Sequence, residues 1–448
     1  MRFTGPWVAL LMFAWGGPLV AADKPNVVFI LPDDLGYGDL KCYGHPYART
    51  PHLDRLAEQG TRFAQFYSTG VTCCPARTGL MTGKFPATFQ KYPADFGFAG
   101  RVTVTELLKK ADYRTGHFGK WHIGTETKAG TYGIDRIDGA EDGIRAIKRG
   151  NDADRGRDFP IFDEAIKFIE ANKIGPFYVN VWGHITHNPV NPAQALADKW
   201  KDLKVNPTDF PPQMREKFSA VTAAKGDISD GMRRYLAEVE ALDADVGRLL
   251  KKLDELGLSK NTIVVFSSDQ GADMTKADLG GLRFNQMGFN GEHRGGKHTH
   301  YEGGLNVPFI VRWPGTVAAG AVNEKSILSG ADWLPTLCTI AGVKIAAADF
   351  DGTDRSDVLK GKDGERTKPL FWKTNNVRSE VVVRDGNWKL FDPNKKKGEF
   401  ELYDVRSDPA EARNLAAKEP EVVDRLKVQI AKWNATLPKE YSKTADKD

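Results

Sequence analysis

The chain has 448 residues, which is enough for one large domain with a smaller one beside it. Its composition, 41% hydrophobic and 27% charged, is ordinary for a globular protein that buries a core. The formal net charge is only +4, so there is no case for nucleic-acid binding, and an anionic substrate would have to be recognised locally.

The first 22 residues differ from the rest and are typical of a secretory signal peptide. Arg2 supplies a positive start, an apolar run covers Trp7 to Trp15, and Gly16-Gly17-Pro18 then breaks any helix. Val20 and Ala22 fit a small-residue cleavage site, and the apolar run is too short to span a bilayer. We therefore expect this segment to be removed, no membrane span elsewhere, and an exported protein that is periplasmic or secreted.

The four cysteines do not form the pattern of a disulfide framework. Export implies an oxidising compartment, yet Cys42, Cys73, Cys74 and Cys338 are few for a chain of this length. Adjacent cysteines rarely bridge each other because the geometry is strained, while a bridge from Cys42 to Cys74 stays open. The pair at 73 and 74 therefore favours a chemical role over a structural one.

Buried strands and helices alternate along most of the chain. The apolar run NVVFIL over residues 26–31 is typical of a strand buried on both faces of a parallel sheet. TPHLDRLAEQG then predicts a helix that Thr50 could cap and that Gly60 ends. The longest predicted helix runs from about Met232 to Leu256, and Gly257 stops it.

The order of these elements predicts the fold class. Further strands are predicted for TRFAQFYS, RTGHFGKWHIG, PFYVNVWGHITH, NTIVVFSSDQG and VPFIVRWPG, and further helices for VTVTELLKKADY and FDEAIKFIEANK. This alternation indicates an α/β fold with a large, mostly parallel sheet flanked by helices. After about residue 345, EVVVRDGNWKLF and FELYDVRSDP alternate like antiparallel strands with one solvated face. We predict a main domain over residues 23–345 and a smaller C-terminal α+β subdomain with a short antiparallel sheet over residues 346–448.

Polar residues follow two of the buried strands at their carboxyl ends. Asp33 and Asp34 follow the first strand, and Asp269 and Gln270 follow a later one. Ligands of open α/β sheets bind at this edge. Carboxylate and amide oxygens suit calcium or magnesium rather than zinc, so these residues are candidate metal ligands.

Cationic residues are the second part of the candidate site. Arg77 lies four residues after Cys73, Lys120 and His122 are two apart in an extended segment, and His187 ends another strand. Lys297 lies in the glycine-rich segment RGGKHTHYEGG. Together with a divalent cation, such residues would bind a compact tetrahedral oxyanion. We assign no role to His45, His52, His117, His293, His298 and His300, and among the histidines without a role His184 and His300 are the best candidates for lining the pocket.

The segment CCPARTGLMTGK, from Cys73 to Lys84, resembles the signature of the type I (formylglycine-dependent) sulfatases of the alkaline phosphatase superfamily. Further blocks resemble that family, in its order, over nearly the whole mature chain: PDDLGYGDL, YRTGHFGKWHIG, THNP, LDADVGRLLKKLDELGLSKNTIVVFSSDQG, RGGKHTHYEGGLNVPFIVRWPG and FELYDVRSDPAEARNLA. The resemblance implies an alkaline phosphatase-like fold, a sulfuric ester hydrolase, and a catalytic role for residues 23–345.

The resemblance also implies a modified residue. In this family the first cysteine of the signature, here Cys73, is oxidised during export to 3-oxoalanine (formylglycine), an aldehyde. Cys74 falls on a variable position, and Pro75 and Arg77, which the formylglycine-generating enzyme reads in the family, are present. Ala76 replaces the usual serine. At a helix N-terminus, backbone N–H groups would favour negative charge on the converted residue.

By the same resemblance, one calcium ion is held by Asp33, Asp34, Asp269, Gln270 and residue 73. The family more often has Asn or His at the position of Gln270. The glutamine side chain is one methylene longer than that of asparagine, so its carbonyl oxygen extends further towards the metal.

The remaining polar residues would act on the sulfate group. Arg77 would hold the hydrated aldehyde and the carboxylates in register. Lys120, Lys297 and His187 would clamp the sulfate, and one of them would protonate the leaving oxygen. His122 would accept the proton whose loss releases sulfate and restores the aldehyde.

Export and this family together favour a sulfated carbohydrate as the substrate, with loop-rich segments 125–158, 188–230 and 271–296 setting specificity. A phosphoester or phosphonate hydrolase on the same fold is one alternative, although the residues offer ligands for a single metal only. The second alternative is a protein that binds sulfated glycans without catalysis. The catalytic residues of such a protein could be lost, so their presence here argues against this alternative: Cys73, Arg77, Lys120, His122 and Lys297.

Overall fold

The computed structural model describes Met1 and residues 24–139, 155–274, 286–362, 364–374, 379–394 and 399–442. The predicted signal peptide, apart from Met1, lies outside the described residues. So do residues 140–154 and 275–285, which belong to two of the predicted specificity segments.

The described strands and helices follow the predicted alternation. The strands are β1 Asn26–Ile30, β2 Thr61–Phe63, β3 Phe66–Tyr67, β4 Arg114–Gly119, β5 Arg136–Asp138, β6 Phe177–Trp182, β7 Thr262–Ser267, β8 Phe309–Arg312, β9 Ala321–Asn323, β10 Leu328–Ser329, β11 Leu370–Trp372, β12 Val381–Asp385, β13 Trp388–Asp392 and β14 Glu401–Asp404. The helices are α1 Pro51–Glu58, α2 Cys73–Thr82, α3 Pro93–Phe96, α4 Val104–Lys109, α5 Phe159–Ala171, α6 Gln194–Asp198, α7 Pro212–Ala223, α8 Ile228–Glu255, α9 Glu302–Leu305, α10 Trp333–Ile340, α11 Ser356–Leu359 and α12 Pro420–Asn434.

The main sheet confirms the predicted mostly parallel arrangement. Its strand order is β5-β4-β6-β1-β7-β8-β2-β9, and β8 alone among these strands runs against its neighbours. Strand β1 lies at the centre, paired in parallel with β6 on one side and β7 on the other. All five of its residues are buried, as expected of a central strand covered on both faces.

Each face of the sheet carries its own hydrophobic core. Because side chains alternate along a strand, Val28 and Ile30 point into one core, and Val27 and Phe29 point into the other. The first core contains the apolar stripe of the long helix α8. The second contains α10, and the Trp333 ring lies 5.0 Å from that of Phe29.

A separate antiparallel sheet, in the order β11-β12-β13-β14, forms the predicted C-terminal part. Leu426 and Ile430 of α12 pack in the core of this sheet. Phe350 and Val358, which precede it, pack instead with the second core of the main sheet. The boundary at residue 345 stays a prediction.

All four cysteines lie in the described part of the chain and are free thiols. Among the described residues, no helix is long and apolar enough to cross a membrane.

A buried ion network joins the C-terminal sheet to the main domain. Lys389 Nζ lies 2.9 Å from Glu302 and 3.0 Å from Glu411, and all three side chains are at most 2% exposed. Tyr67 donates a hydrogen bond of 2.6 Å to Glu302. The network therefore connects β13, which carries Lys389, with α9, which carries Glu302, and with β3, which carries Tyr67.

We expect Lys389→Met to lower the free energy of unfolding by about 3–5 kcal/mol, because it leaves two buried carboxylates without their cation. Urea denaturation measures the change, and Lys432→Met on the exposed surface of α12 is the matched control. An equally small loss in both variants would contradict this account of the network.

Candidate active site

Four neighbouring strands place the predicted polar residues together. In the order β4-β6-β1-β7, their carboxyl ends lead to Lys120, to His187, to the pair Asp33-Asp34 and to the pair Asp269-Gln270. The carboxyl ends of parallel strands meet at one edge of a sheet, so side chains distant in sequence converge there. Asp34 adopts φ 61°, in the left-handed region where a residue other than glycine is uncommon.

Lys297 reaches the same edge because β8 is reversed. Ser267 at the end of β7 pairs with Phe309 at the start of β8, so the chain before β8 approaches from the carboxyl ends of the parallel strands. The amide N–H of Lys297 donates to the Ala272 carbonyl at 3.0 Å. Its ammonium group lies 3.0 Å from the Asp34 carboxylate.

Cys73 begins helix α2 and points into this cluster. Its Sγ lies 3.1 Å from Asp33 Oδ1, 3.3 Å from Lys120 Nζ and 3.7 Å from Gln270 Nε2. The predicted position at a helix N-terminus is confirmed. Gly79 lets the helix lie close to the preceding segment, since a Cβ there would come within 2.0 Å of Thr69.

Arg77, one turn along the same helix, is fully buried beneath the cluster. Its Nε and Nη2 donate to Asp269 Oδ2 at 3.0 and 2.8 Å, and its Nη1 donates to the Lys120 carbonyl at 2.8 Å. Nη2 also lies 3.6 Å from Asp33 Oδ1. One guanidinium group therefore ties together the ends of β1, β4 and β7.

The buried carboxylates compete for the surrounding positive charge. Burial alone would raise the pKa of Asp33, but Lys120, His187 and Arg77 hold it well below its usual range. Burial, reinforced by the charge of Asp33, raises the pKa of Asp269. A further cation at this position would relieve the repulsion between the two carboxylates.

The residues fit a hard divalent cation. Ligand atoms of Asp33, Asp34 and Asp269 lie within 4.8 Å of one another, as do those of Asp33, Cys73 and His187. Within the described residues, the buried Gln270 Oε1 has no hydrogen-bond partner, while the amide nitrogen donates to Asp34 Oδ1. An unsatisfied buried oxygen beside three carboxylates is the donor set that calcium prefers.

The predicted histidines differ in how closely they join the cluster. His187 Nε2 lies 3.9 Å from Asp34 Oδ2, and burial lowers the pKa of the imidazole, so its neutral form is favoured. Burial likewise lowers the pKa of His184 to about 3. His122 is half-buried, with φ 59°, and follows Lys120 by two residues. His300, to which the sequence analysis assigned no role, lies 2.7 Å from the Glu380 carboxylate.

Two supporting residues were missed by the sequence analysis. Ser68 Oγ contacts the Asp269 carbonyl, and Thr186 Oγ1 donates to the Asp34 carbonyl at 3.1 Å. The Tyr235 hydroxyl of α8 lies 2.9 Å from Thr186 Oγ1 and 2.6 Å from Asp39 Oδ2. Hydroxyl residues beside strand ends carry no distinctive sequence pattern, so only the fold reveals their contacts.

Comparison with known proteins shows the family of the chain. Residues 25–343 match the sulfatase family model, and residues 291–436 match the model for the C-terminal region of N-sulphoglucosamine sulphohydrolase. Human arylsulfatase A is 31% identical, covering 93% of this chain and 89% of its own length. An N-acetylgalactosamine-6-O-sulfatase of Bacteroides thetaiotaomicron is 28% identical, covering 90% of this chain and 92% of its own length.

Solved structures share the whole fold at low identity. A protein named Ps i-CgsB, solved with k-i-k-neocarrahexaose, has a TM-score of 0.75 at 22% identity and covers 95% of this chain and 96% of its own. A protein solved with its substrate D-glucosamine-2-N,6-O-disulfate has a TM-score of 0.72 at 22% identity, with coverages of 92% and 98%. A phosphonate monoester hydrolase of Agrobacterium radiobacter has a TM-score of 0.64 at 19% identity, with coverages of 92% and 95%.

The family model and the relatives show the class of the chain, which is the alkaline phosphatase superfamily. Within that class, the chain belongs to the type I sulfatase family and is a sulfuric ester hydrolase.

Proposed function

We propose that this sulfatase is an exported, calcium-dependent enzyme that hydrolyses sulfate esters of carbohydrates, and that its nucleophile is formylglycine made from Cys73. The observation that carries the proposal is the position of Cys73 Sγ, which lies within 3.7 Å of Asp33, Lys120 and Gln270 at the N-terminus of a helix. Sugars bound to structural neighbours, and the sugar sulfatase among the relatives, support a carbohydrate substrate.

An unmodified thiol is poorly suited to this position. Burial, with the charge of Asp33 adding to it, raises the pKa of the Cys73 thiol well above its usual range, so little thiolate would form. Cys73 Sγ stands where an oxygen of the hydrated aldehyde would lie. That group supplies two hydroxyls, of which one can attack sulfur and the other can expel sulfate by giving up its proton.

Positive charge in the pocket would hold the sulfate and stabilise the charge that develops on the leaving oxygen. Lys120 and Lys297 are charged and lie next to Asp33 and Asp34, and burial favours the neutral form of His187. Both ammonium groups can donate hydrogen bonds to sulfate oxygens, whereas His187, whose Nδ1–H donates to the Asn188 carbonyl at 2.8 Å, could do so from Nε2 only in its protonated form. His122 would accept the proton whose loss releases sulfate, and Arg77 would orient the carboxylates.

Asp33, Asp34, Asp269, Gln270 and residue 73 would hold the calcium ion. When bound, calcium would offset the carboxylate charge and lower the pKa of the attacking hydroxyl.

We expect Gln270→Ala to raise the calcium concentration needed for half-maximal binding about tenfold, because one neutral oxygen ligand is lost while the three carboxylates remain. Isothermal calorimetry with calcium measures this directly, independently of turnover. Gln286→Ala is the control, since this buried glutamine lies outside the cluster. An unchanged calcium titration would remove Gln270 from the ligand set.

Expression in a host with a formylglycine-generating enzyme tests the function as a whole. We expect the protein to hydrolyse an aryl sulfate and then a set of sulfated monosaccharides and oligosaccharides, and to lose activity when EDTA removes calcium. A phosphonate monoester serves as the comparison substrate. Faster turnover of the phosphonate than of every sulfate would contradict the proposal.

A further inference from the structure

A wide groove of about 990 Å³ lies outside the carboxylate cluster, between two segments that are distant in sequence. One wall is formed by residues 88–101, which follow α2, and the other by residues 436–440, which follow α12. None of the residues assigned above to sulfate or calcium binding lines this groove.

The groove is positively charged. Lys91, Arg101 and Lys439 line it, and Glu440 is the one acidic residue among the lining side chains of the described chain. Within the described residues, neither Lys91 nor Lys439 forms an ion pair with a carboxylate, whereas the charge of Asp351 acts on Arg101. Lys91 and Lys439 are exposed and Arg101 is half-buried, so together these cations give the groove a positive potential that would attract an anionic ligand.

The groove also presents an aromatic surface. Phe96 is 46% exposed, and Lys91 Nζ lies 5.4 Å from the centre of its ring. The Arg101 guanidinium lies 4.2 Å from the ring of Phe89. An exposed aromatic ring can pack against the apolar face of a sugar, while neighbouring cations bind its sulfate groups.

Hydrogen bonds hold the two walls together, so the groove is formed before a ligand binds. The Ser442 amide donates to the Gln90 carbonyl at 2.9 Å, and the Tyr441 hydroxyl donates to the Ala87 carbonyl at 2.8 Å. Arg101 is fixed by a hydrogen bond of 2.7 Å to the Thr88 carbonyl. A preformed site loses less conformational freedom when its ligand binds.

The groove is connected to the catalytic segment. The Gly124 amide donates to the Ala94 carbonyl at 3.0 Å, and the ring of Phe98 lies 5.9 Å from that of Trp121. The wall that carries Phe96 therefore packs on the segment that carries Lys120 and His122. A long substrate could contact both places at once.

We propose that this groove is a second binding site, which takes the sulfated sugars of a polysaccharide chain while another part of the same chain occupies the active site. The inference rests on the proposed function and makes it more specific, because it assigns a polymeric substrate rather than a free sugar.

Binding is measured with full-length Cys73→Ala protein, which cannot consume the ligand, using heparin and chondroitin sulfate as probes. Dextran is the neutral polymer, and single-stranded DNA is a polyanion without sulfate. We expect the double variant Lys91→Gln/Lys439→Gln to raise the Kd for a sulfated polysaccharide about tenfold, and Phe96→Ala to raise it severalfold. The double variant Lys360→Gln/Lys418→Gln removes two exposed lysines elsewhere and should leave the Kd unchanged.

Activity separates the groove from the active site. With Cys73 intact, Lys91→Gln/Lys439→Gln should leave hydrolysis of a small aryl sulfate unchanged and raise KM for a sulfated polysaccharide. Equal Kd values for groove and control variants would overturn the groove proposal while leaving the catalytic one standing. DNA bound as tightly, with the same sensitivity to the groove variants, would overturn the assignment to a glycan. Absence of any sulfate hydrolysis would instead count against the proposed function, and the binding comparison would still test the groove.

Discussion

Replacing Cys73 by alanine should reduce turnover of a sulfate ester by a factor on the order of 10⁴ or more, because it removes the nucleophile itself. The cation and carboxylate network around residue 73 would remain, since Arg77 and Lys120 still bridge Asp33 and Asp269. Thermal unfolding of the variant should therefore stay close to that of the parent protein. Initial rates on an aryl sulfate measure the catalytic loss.

Cys74→Ala is the matched control for this experiment. Cys74 is equally buried on the first turn of α2, but its Sγ lies 3.9 Å from Thr78 Oγ1 and not among the strand-end carboxylates. We expect this variant to keep most of its activity. Full activity in Cys73→Ala, or equal losses in the two variants, would contradict a nucleophile at residue 73.

Arg77→Lys should lower kcat by about 10²- to 10³-fold, which corresponds to the loss of one fixed donor group at a reacting centre. The guanidinium holds Asp269 through two nitrogens and the Lys120 carbonyl through the third, and a single ammonium cannot reproduce this geometry. Arg77→Met should in addition lower the free energy of unfolding by about 3–5 kcal/mol, because it removes the cation that is paired with the buried Asp269 carboxylate.

The control for Arg77 is Arg425→Lys, at a surface ion pair with Asp385 whose arginine side chain is 47% exposed. Exposed pairs contribute about 0–1 kcal/mol, so neither activity nor stability should change appreciably. Steady-state kinetics and urea denaturation provide the two measurements. If the Arg77→Lys variant kept the kcat of the parent protein, the two hydrogen bonds from Arg77 to Asp269 would not be needed to position the catalytic residues.

Much of the fold could be predicted because the sequence pattern is locally strong. The continuous apolar run of β1 reflects burial on both faces, and the helix α8 follows from its apolar stripe. That helix starts at Ile228 rather than near Met232, because Asp227 caps it by accepting from the amides of Ser229 and Asp230. The N-cap signal was present in the sequence and was overlooked.

Partners that are distant in sequence set the limit of such prediction. The segment TRFAQFYS was predicted as one strand, but the structure divides it into β2 and β3. Strand β2 joins the main sheet beside β8 and β9, whereas β3 pairs with β10 in a separate two-stranded sheet. A local pattern contains no information about these partners.

The same distinction applies to the candidate site. Asp33, Asp34, Asp269 and Gln270 could be brought together by the rule that ligands bind at the carboxyl ends of parallel strands. The approach of Lys297 depends on the reversed direction of β8, which no local pattern reveals. The groove between residues 88–101 and 436–440 likewise arises only when the last residues of the chain pack beside the segment that follows α2.

The most direct test of the account is the mass of the tryptic peptide Phe63–Arg77, taken from protein exported by a host that converts a control sulfatase. Fragmentation of the peptide distinguishes residue 73 from residue 74. The account predicts an aldehyde at residue 73 and an unmodified thiol at Cys74. A thiol at residue 73 in protein that hydrolyses sulfate esters at full rate would contradict the formylglycine mechanism.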